Sequence, residues 1–215
     1  MISSLTIQET KDMLCAVCDE VIRQKQRLTL LDTPIGDGDH GIGMSRGMTN
    51  AKAALDKAGT FADIDEVFYR MGRAMIATMG GSSGVVFGTM FMGAADPATE
   101  KKLLLTGRGF VRRMRNSLDL VKKRGRSEPG QKTMVDAFEP AVLAMESAVA
   151  EVSAELLTLV RIAADAAEKG AEATKDMISM HGHSNTLGER ALGHPDPGAV
   201  TVSIIFRAME EYLSI

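Results

Sequence analysis

Helical spacing of apolar residues runs through most of this chain, and no stretch shows the strict alternation of a half-buried strand. Thr6 and Glu9 have capping-box spacing, and Met13, Leu14, Val17, Val21 and Ile22 follow at helical offsets, predicting a first helix that ends near Gln26. Further helices are expected at about 41–57, at 63–79, where Ile64, Val67, Phe68, Met71 and Met75 form one stripe, and after GGSSG to about Ala95. A basic helix should cover about 105–124, another about 132–149 with Pro140 as a kink or a shifted start, an alanine-rich one 153–178, and a last one 199–213. VTVSIIF (200–206) has strand propensity, but a single strand cannot build a sheet. The expectation is eight helices in one all-α domain over residues 1–215, with no repeat or linker dividing it.

That size supports one well-cored domain, and 45% apolar residues supply the core. Methionine occurs 15 times while tryptophan is absent and aromatics are 4%, so flexible aliphatic side chains should fill the interior. There is no apolar run of 18 residues, so no membrane span is expected, and MISSLTIQETKDML lacks the pattern of a signal peptide. A formal net charge of −3 gives no reason to expect nucleic acid as a partner. Cys15 and Cys18 have neither a second pair nor a thioredoxin-like setting, so they read as small core residues, and a reducing, cytoplasmic home fits.

The chemistry lies in four polar loops. In LLDTPIGDGDHGIGMSRGM (30–48), Pro34 and the glycines make a continuous helix implausible, which puts Asp32, Asp37 and Asp39 on a turn. Two carboxylates about 4 Å apart repel by about 4 kcal/mol at an effective dielectric of about 20. A divalent cation would compensate three of them; magnesium would leave open positions for phosphate oxygens. A solvated Asx/Gly turn is the plainer alternative. An EF-hand fails, because position 12 counted from Asp37 is Met48 rather than glutamate. GDGDHG matches G-x-G-x-x-G in form only, since no strand precedes it.

The second loop, MGGSSGVVFGT (79–89), matches G-x-S-x-G in form, but a helix rather than a strand leads into it, which speaks against a Ser82 hydrolase. It reads either as a helix start able to hold an anion or as a plain helix–helix turn. In the third, GRSEPGQKTMVDAF (125–138), Lys132 and Thr133 should enter the first turn of a helix. A lysine there opposes the helix dipole and hints at a negative neighbour; an exposed lysine is the simpler reading. The fourth, 181–198, holds His181, His183 and His194 with Asp196; zinc is conceivable, but no helical His-x-x-x-His pair or cysteine supports it. Residues 101–126 carry ten Lys/Arg against one acidic residue, Asp119, as a solvated helix face or a dock for an acidic partner.

Taken together, LDTPIGDGDHGIGMSRGM, GGSSGVVFGT, EPGQKTMVDAFEP and LGERALGHPDPGA resemble, in this order, the signature loops of the nucleotide-binding L subunit of dihydroxyacetone kinases. The resemblance runs over nearly the whole chain. It implies an eight-helix antiparallel barrel with ADP or ATP at one end and two magnesium ions. Asp32, Asp37 and Asp39 would then be the metal ligands. His40, Gly41, Ile42 and Gly43 would lie along the phosphates, which Ser82 and Ser83 would also meet. Gly125, Met134, Asp196, Pro197 and Gly198 would border the nucleotide, and His183 stands where the family has an arginine. The implied chemistry is phosphoryl transfer to a small ketose held by a separate K subunit, resting on positioning and charge neutralisation rather than a protein nucleophile. The donor would be either ATP or a phosphotransferase-system protein that rephosphorylates bound ADP. The chain departs from the pattern at Gly43 (usually Asn), Val85 (Pro), Gln131 (Asp), His183 (Arg) and Thr186 (Tyr). These departures keep two alternatives open, a nucleotide-binding regulatory protein and a kinase subunit for another ketose such as a tetrulose. Oligomeric state is left open as well.

Overall fold

The computed structural model describes residues 3–95, 102–151 and 154–215. Lys101 of the basic run and Ser153 at the expected start of the alanine-rich helix lie outside the described residues. In chain order the elements are β1 (Ser4–Thr6), α1 (Ile7–Arg23), α2 (Lys25–Asp32), α3 (His40–Lys57), α4 (Ile64–Met79), α5 (Gly81–Gly93), β2 (Leu104–Thr106), α6 (Gly107–Gly125), α7 (Val135–Glu151), α8 (Leu156–Ala173) and α9 (Pro197–Leu213). Two 3₁₀ segments, Thr174–Asp176 and His183–Ala191, join α8 to α9.

Eight of the helices close a ring. Each of α3 to α8 packs on its sequence neighbour, and α1 packs on both α3 and α9. The starts of α3, α5 and α9, the residue just ahead of α7, and the ends of α4 and α6 gather at one end of the ring, where all of them line one cleft. These eight are the helices that periodicity predicts. Among the described residues α2 is additional and rests outside the ring against α3 and α9.

Local signals set most boundaries. The Thr6–Glu9 capping box is closed, with Thr6 N–H donating to Glu9 Oε2 at 2.8 Å and Glu9 N–H to Thr6 Oγ1 at 3.3 Å. The side chains of Asp63, Thr106 and Asp196 each accept from a first-turn N–H and cap α4, α6 and α9. The chain bends at Gln24, so the first helix stops at Arg23, short of the expected Gln26, and α2 begins one residue later. Pro140 sits inside α7, which starts at Val135 rather than 132. The strand-like 200–206 stretch is helical within α9. Against the expectation of no strand, β1 and β2 form a small antiparallel ribbon, Leu5 opposite Leu105, at the end of the ring away from the polar loops.

The interior is rich in methionine: Met13, Met44, Met48, Met71, Met75 and Met145 have no exposed surface. Cys18 is buried and Cys15 half-buried, both free, and burial pushes both thiols up. They are inert core thiols, as their helical context suggests. The basic run is not a uniformly solvated face. Arg113 is 2% exposed, paired with Asp65, and donates to Ala94 O at 2.8 Å. Arg115 pairs with Glu146, and Lys122 with Glu128 and Glu139. No helix among the described residues is long and apolar enough to cross a membrane.

Candidate functional site

Where the four helix starts converge, the ring opens into a cleft of about 920 Å³. Its first wall is the aspartate segment. Asp32 is the last residue of α2, not part of a free turn as the glycines suggest. The chain then turns back under it, with Gly36 N–H donating to Asp32 O at 2.6 Å. Glycine at 36 leaves room for that carboxylate: a Cβ there would sit 2.1 Å from Asp32 Oδ1 and displace it. Asp39 N–H donates to Asp37 Oδ1 at 3.2 Å, and His40 N–H at the start of α3 donates to Asp32 Oδ2 at 3.2 Å. The outcome is one carboxylate oxygen from each of Asp32, Asp37 and Asp39 within 4.8 Å of the others.

This group suits a hard dication. All donors are oxygen, and among the described residues no lysine or arginine pairs with any of the three. Partial burial, then the charges of Asp37 and Asp32, push the Asp39 carboxyl above its ordinary range, so negative charge is uncompensated here. Among the described residues the basic side chain paired with one of the three is His183, whose Nε2 lies 3.3 Å from Asp37 Oδ2.

His40 is fixed deeper in the wall, 8% exposed. Thr201 Oγ1 donates to Pro197 O at 2.8 Å, so the 2.8 Å contact between His40 Nε2 and that hydroxyl leaves the imidazole as donor. Burial pulls its pKa down to about 4, so it is neutral at pH 7.

The second wall is the α4–α5 junction. Gly80, with φ +73°, turns the chain, and Ser82 and Ser83 fall in the first turn of α5. Helix, not strand, precedes Ser82, so the nucleophile-elbow geometry is absent and the hydrolase reading is set aside. The third side is made by Gly125 at the end of α6 and by Thr133 and Met134 ahead of α7.

Lys132 overturns both the exposed and the helix-entry readings. It precedes α7 with φ +58° and is 2% exposed. Its Nζ donates to Thr174 O and His194 O, each at 2.6 Å, clamping the ends of the long polar loop. Asp196, beyond that loop, keeps some surface in the cleft wall, yet protein atoms crowd its carboxyl and push its pKa up to about 7. Asp196 Oδ2 accepts from Ala199 N–H at 2.7 Å, which caps α9.

Of the residues singled out in the sequence, Asp32, Asp37, Asp39, His40, Ile42, Gly43, Ser82, Ser83, Gly125, Met134, His183, Asp196, Pro197 and Gly198 all line this one cleft. Gly41 does not. It faces α2, where a Cβ would meet Lys25 O at 2.2 Å. The histidines form no metal cluster among the described residues, since His181 Nε2 is bound to Gln131 Oε1 at 2.8 Å.

Arg46 was not visible as a site residue. It lines the cleft and donates to Met79 O, holding the end of α4. Its spacing three residues after Gly43 on one helix is the signal that could have found it.

A family model described as the DAK2 domain matches residues 34–211. The chain is 36% identical over 191 residues to the ADP-binding subunit DhaL of PEP-dependent dihydroxyacetone kinase 1 from Listeria innocua, covering 89% of each. To the ADP-binding subunit DhaL of the PEP-dependent dihydroxyacetone kinase of Escherichia coli it is 34% identical over 208 residues, covering 96% of this chain and 97% of that one. To the L-erythrulose 1-kinase of Mycolicibacterium smegmatis it is 31% identical, over 98% of this chain and 35% of that one. The fold matches the crystal structure of the dihydroxyacetone kinase of C. freundii in complex with AMP-PNP and Mg2+, with a TM-score of 0.73 at 24% identity, over 98% of this chain. The chain spans 35% of that enzyme's length. With its helices closed in the same way and the match covering most of its length, the chain belongs to the DAK2 domain family.

Proposed function

We propose that this chain is the magnesium–nucleotide subunit of a dihydroxyacetone-type kinase. In this reading it holds ADP or ATP with two magnesium ions in the cleft and passes a phosphoryl group to a small ketose on a separate K subunit. The observation that carries the reading is the meeting of three uncompensated aspartates with four helix starts around one cleft. Helix starts favour phosphate oxygens, and the carboxylates repel them unless a dication lies between. Relatives named as ADP-binding subunits of PEP-dependent kinases support the same nucleotide and a partner.

Each wall then has a task. Asp32, Asp37 and Asp39 would hold the cations. Ser82 and Ser83, with the first-turn N–H groups of α5, would hold phosphate oxygens. His40, Ile42, Gly43, Gly125, Met134 and Asp196–Gly198 would border the nucleotide. Magnesium, when bound, neutralises phosphate charge and lets a nucleophile approach phosphorus. The neutral, pinned His40 adds no charge that would compete with it.

The acceptor hydroxyl has to come from outside these residues, which is why a K subunit is part of the reading. A phosphotransferase-system donor and a cytoplasmic location follow from the same analogy. The L-erythrulose 1-kinase relative supports a second acceptor, a tetrulose, without displacing dihydroxyacetone.

Calorimetry tests the site. Asp37→Asn should weaken Mg-ADP binding about tenfold, since one of few anionic ligands is lost. Unchanged binding in that variant would refute the proposal. Mixing the chain with K subunits, ATP or a phosphotransferase-system donor, and either dihydroxyacetone or erythrulose identifies donor and acceptor.

A further inference from the structure

Arg46, Arg124 and Lys132 bring cationic side chains to the cleft. Lys132 is spent on Thr174 O and His194 O, and Arg124 stands beside Gly125 at the end of α6. Arg46 stands between the acidic wall and the serine wall. Asp39 is the residue before α3, and Gly43 and Arg46 follow it at i+4 and i+7, so the three share one stripe along the helix. From Asp39 to Arg46 is roughly 10 Å along the axis, at about 1.5 Å per residue. Gly43, between them, leaves that stripe open, with no atom within 4 Å of where its Cβ would be. At the far end the guanidinium reaches the α4–α5 junction: Nη2 donates to Met79 O and lies 4.0 Å from the place of a Cβ on Gly80. Among the described residues no carboxylate pairs with Arg46, and its Nε and Nη1 have no protein acceptor.

Met79 O belongs to the last turn of α4, the negative end of that helix dipole. An anion over Ser82 and Ser83 would meet an attractive start of α5 and a repulsive end of α4 side by side. A guanidinium on Met79 O offsets the repulsion and leaves its remaining N–H groups for the same space. We propose that Arg46 is a phosphate-binding residue, donating to phosphate oxygens held between the aspartate wall and the start of α5. The inference rests on the cleft being the nucleotide site of the proposed function. Gly43 offers phosphate no side chain, and Arg46, about one turn further along the same stripe, supplies the contact instead. It also gives the serine wall a fixed positive charge that Ser82 and Ser83 lack. A purely structural tie between α3 and α4 is the alternative use of the same side chain.

The full chain should be titrated calorimetrically with ADP and Mg2+, as wild type, Arg46→Met and Arg46→Lys, at about 50 mM and about 500 mM salt. Arg46 is exposed, so neither substitution threatens folding. A phosphate contact at this position is an exposed charge contact, which salt screens. Arg46→Met should therefore bind Mg-ADP about thirtyfold more weakly than wild type at low salt and only about fivefold more weakly at high salt. Arg46→Lys keeps the charge but loses the planar fork, so it should lose about threefold and keep the wild-type salt dependence. Met79 O carries no net charge, so a structural tie alone would give Arg46→Met the same deficit at both salts. That result, or an unchanged affinity in Arg46→Met, overturns the inference and leaves the kinase reading standing. A wild-type chain that binds no Mg-ADP overturns this inference and the kinase reading together.

Discussion

Gly41→Ala tests whether α2 is seated on α3 closely enough to place Asp32. A Cβ at position 41 would lie 2.2 Å from Lys25 O, 2.4 Å from Thr29 Oγ1 and 2.6 Å from Thr29 N. Two of these atoms are α2 backbone, so no side-chain rotation relieves the overlap, and α2 must move outward by about 1 Å. Overpacking of this kind costs about 1–3 kcal/mol, and the rigid opposing atoms put this case near the top of that range. Alanine in place of a helical glycine returns about 1 kcal/mol. The net loss is about 2 kcal/mol, and for a chain of this length each kcal/mol lowers Tm by about 2–4 °C. Scanning calorimetry should therefore show Tm lower by about 4–8 °C. Because Asp32 ends α2, the three carboxylate oxygens should spread apart, and Mg-ADP should bind about tenfold more weakly. If Gly41 only lends a backbone N–H to phosphate, alanine would leave both quantities unchanged. That result, or a raised Tm, would refute the packing argument.

Arg113→Leu should cost about 3 kcal/mol by removing the buried guanidinium that bonds Ala94 O and pairs with Asp65, measured as a lower urea midpoint. Mg-ADP affinity should stay within about twofold, because Arg113 lies toward the far end of the ring. Two groups crowded by protein atoms should give opposing pH dependences in the metal-free protein. His40, at about 4 when folded against an ordinary 6.5, binds its proton more readily unfolded, so its contribution of roughly 3 kcal/mol is lost as pH falls from about 6.5 to 4. Asp196, at about 7 when folded against 3.8, binds its proton more readily folded, so it adds roughly 4 kcal/mol as pH falls from about 7 to 4. Asp196→Asn, which keeps a carbonyl oxygen to cap α9, should remove that gain and lose stability on acidification relative to wild type; parallel urea midpoints at pH 7.5 and 4.5 would refute the assignment.

What could be read from the sequence depended on how local the cause was. Ile64, Val67, Phe68, Met71 and Met75 announce α4 because the ring buries a single stripe of each member helix, and all five are buried. The α2 helix announces nothing. Of its eight residues only Leu28 is buried and Leu30 is 64% exposed, so docking on α3 and α9 stabilises it rather than its own pattern. The β1–β2 ribbon is equally silent, since three-residue strands about 100 positions apart carry no local periodicity. Lys132 looks like a surface lysine until a left-handed backbone turns it inward and the loop brings two carbonyls to it. The aspartates were legible because three carboxylates among glycines already form an electrostatic problem within eight residues. Their anchoring was not, because it depends on α2.

The two kinds of signal meet in the cleft. Its acidic wall, Asp32, Asp37 and Asp39, lies where α2 gives way to α3 and is hostile to phosphate. The opposite wall, where α4 gives way to α5, presents Ser82, Ser83 and a helix start, and is hostile to a bare cation. In the proposed reading neither wall alone would bind a nucleoside diphosphate well, whereas together they would suit a cation and a polyphosphate side by side. The acidic wall is where α2 docks on the ring and the serine wall is a junction of two ring helices, and Arg46 of α3 donates to Met79 O at the end of α4, tying the two walls by a direct bond. The position of the acidic wall depends in addition on how closely α2 sits on α3, which is why Gly41, a residue outside the cleft, should affect nucleotide binding in the proposed reading.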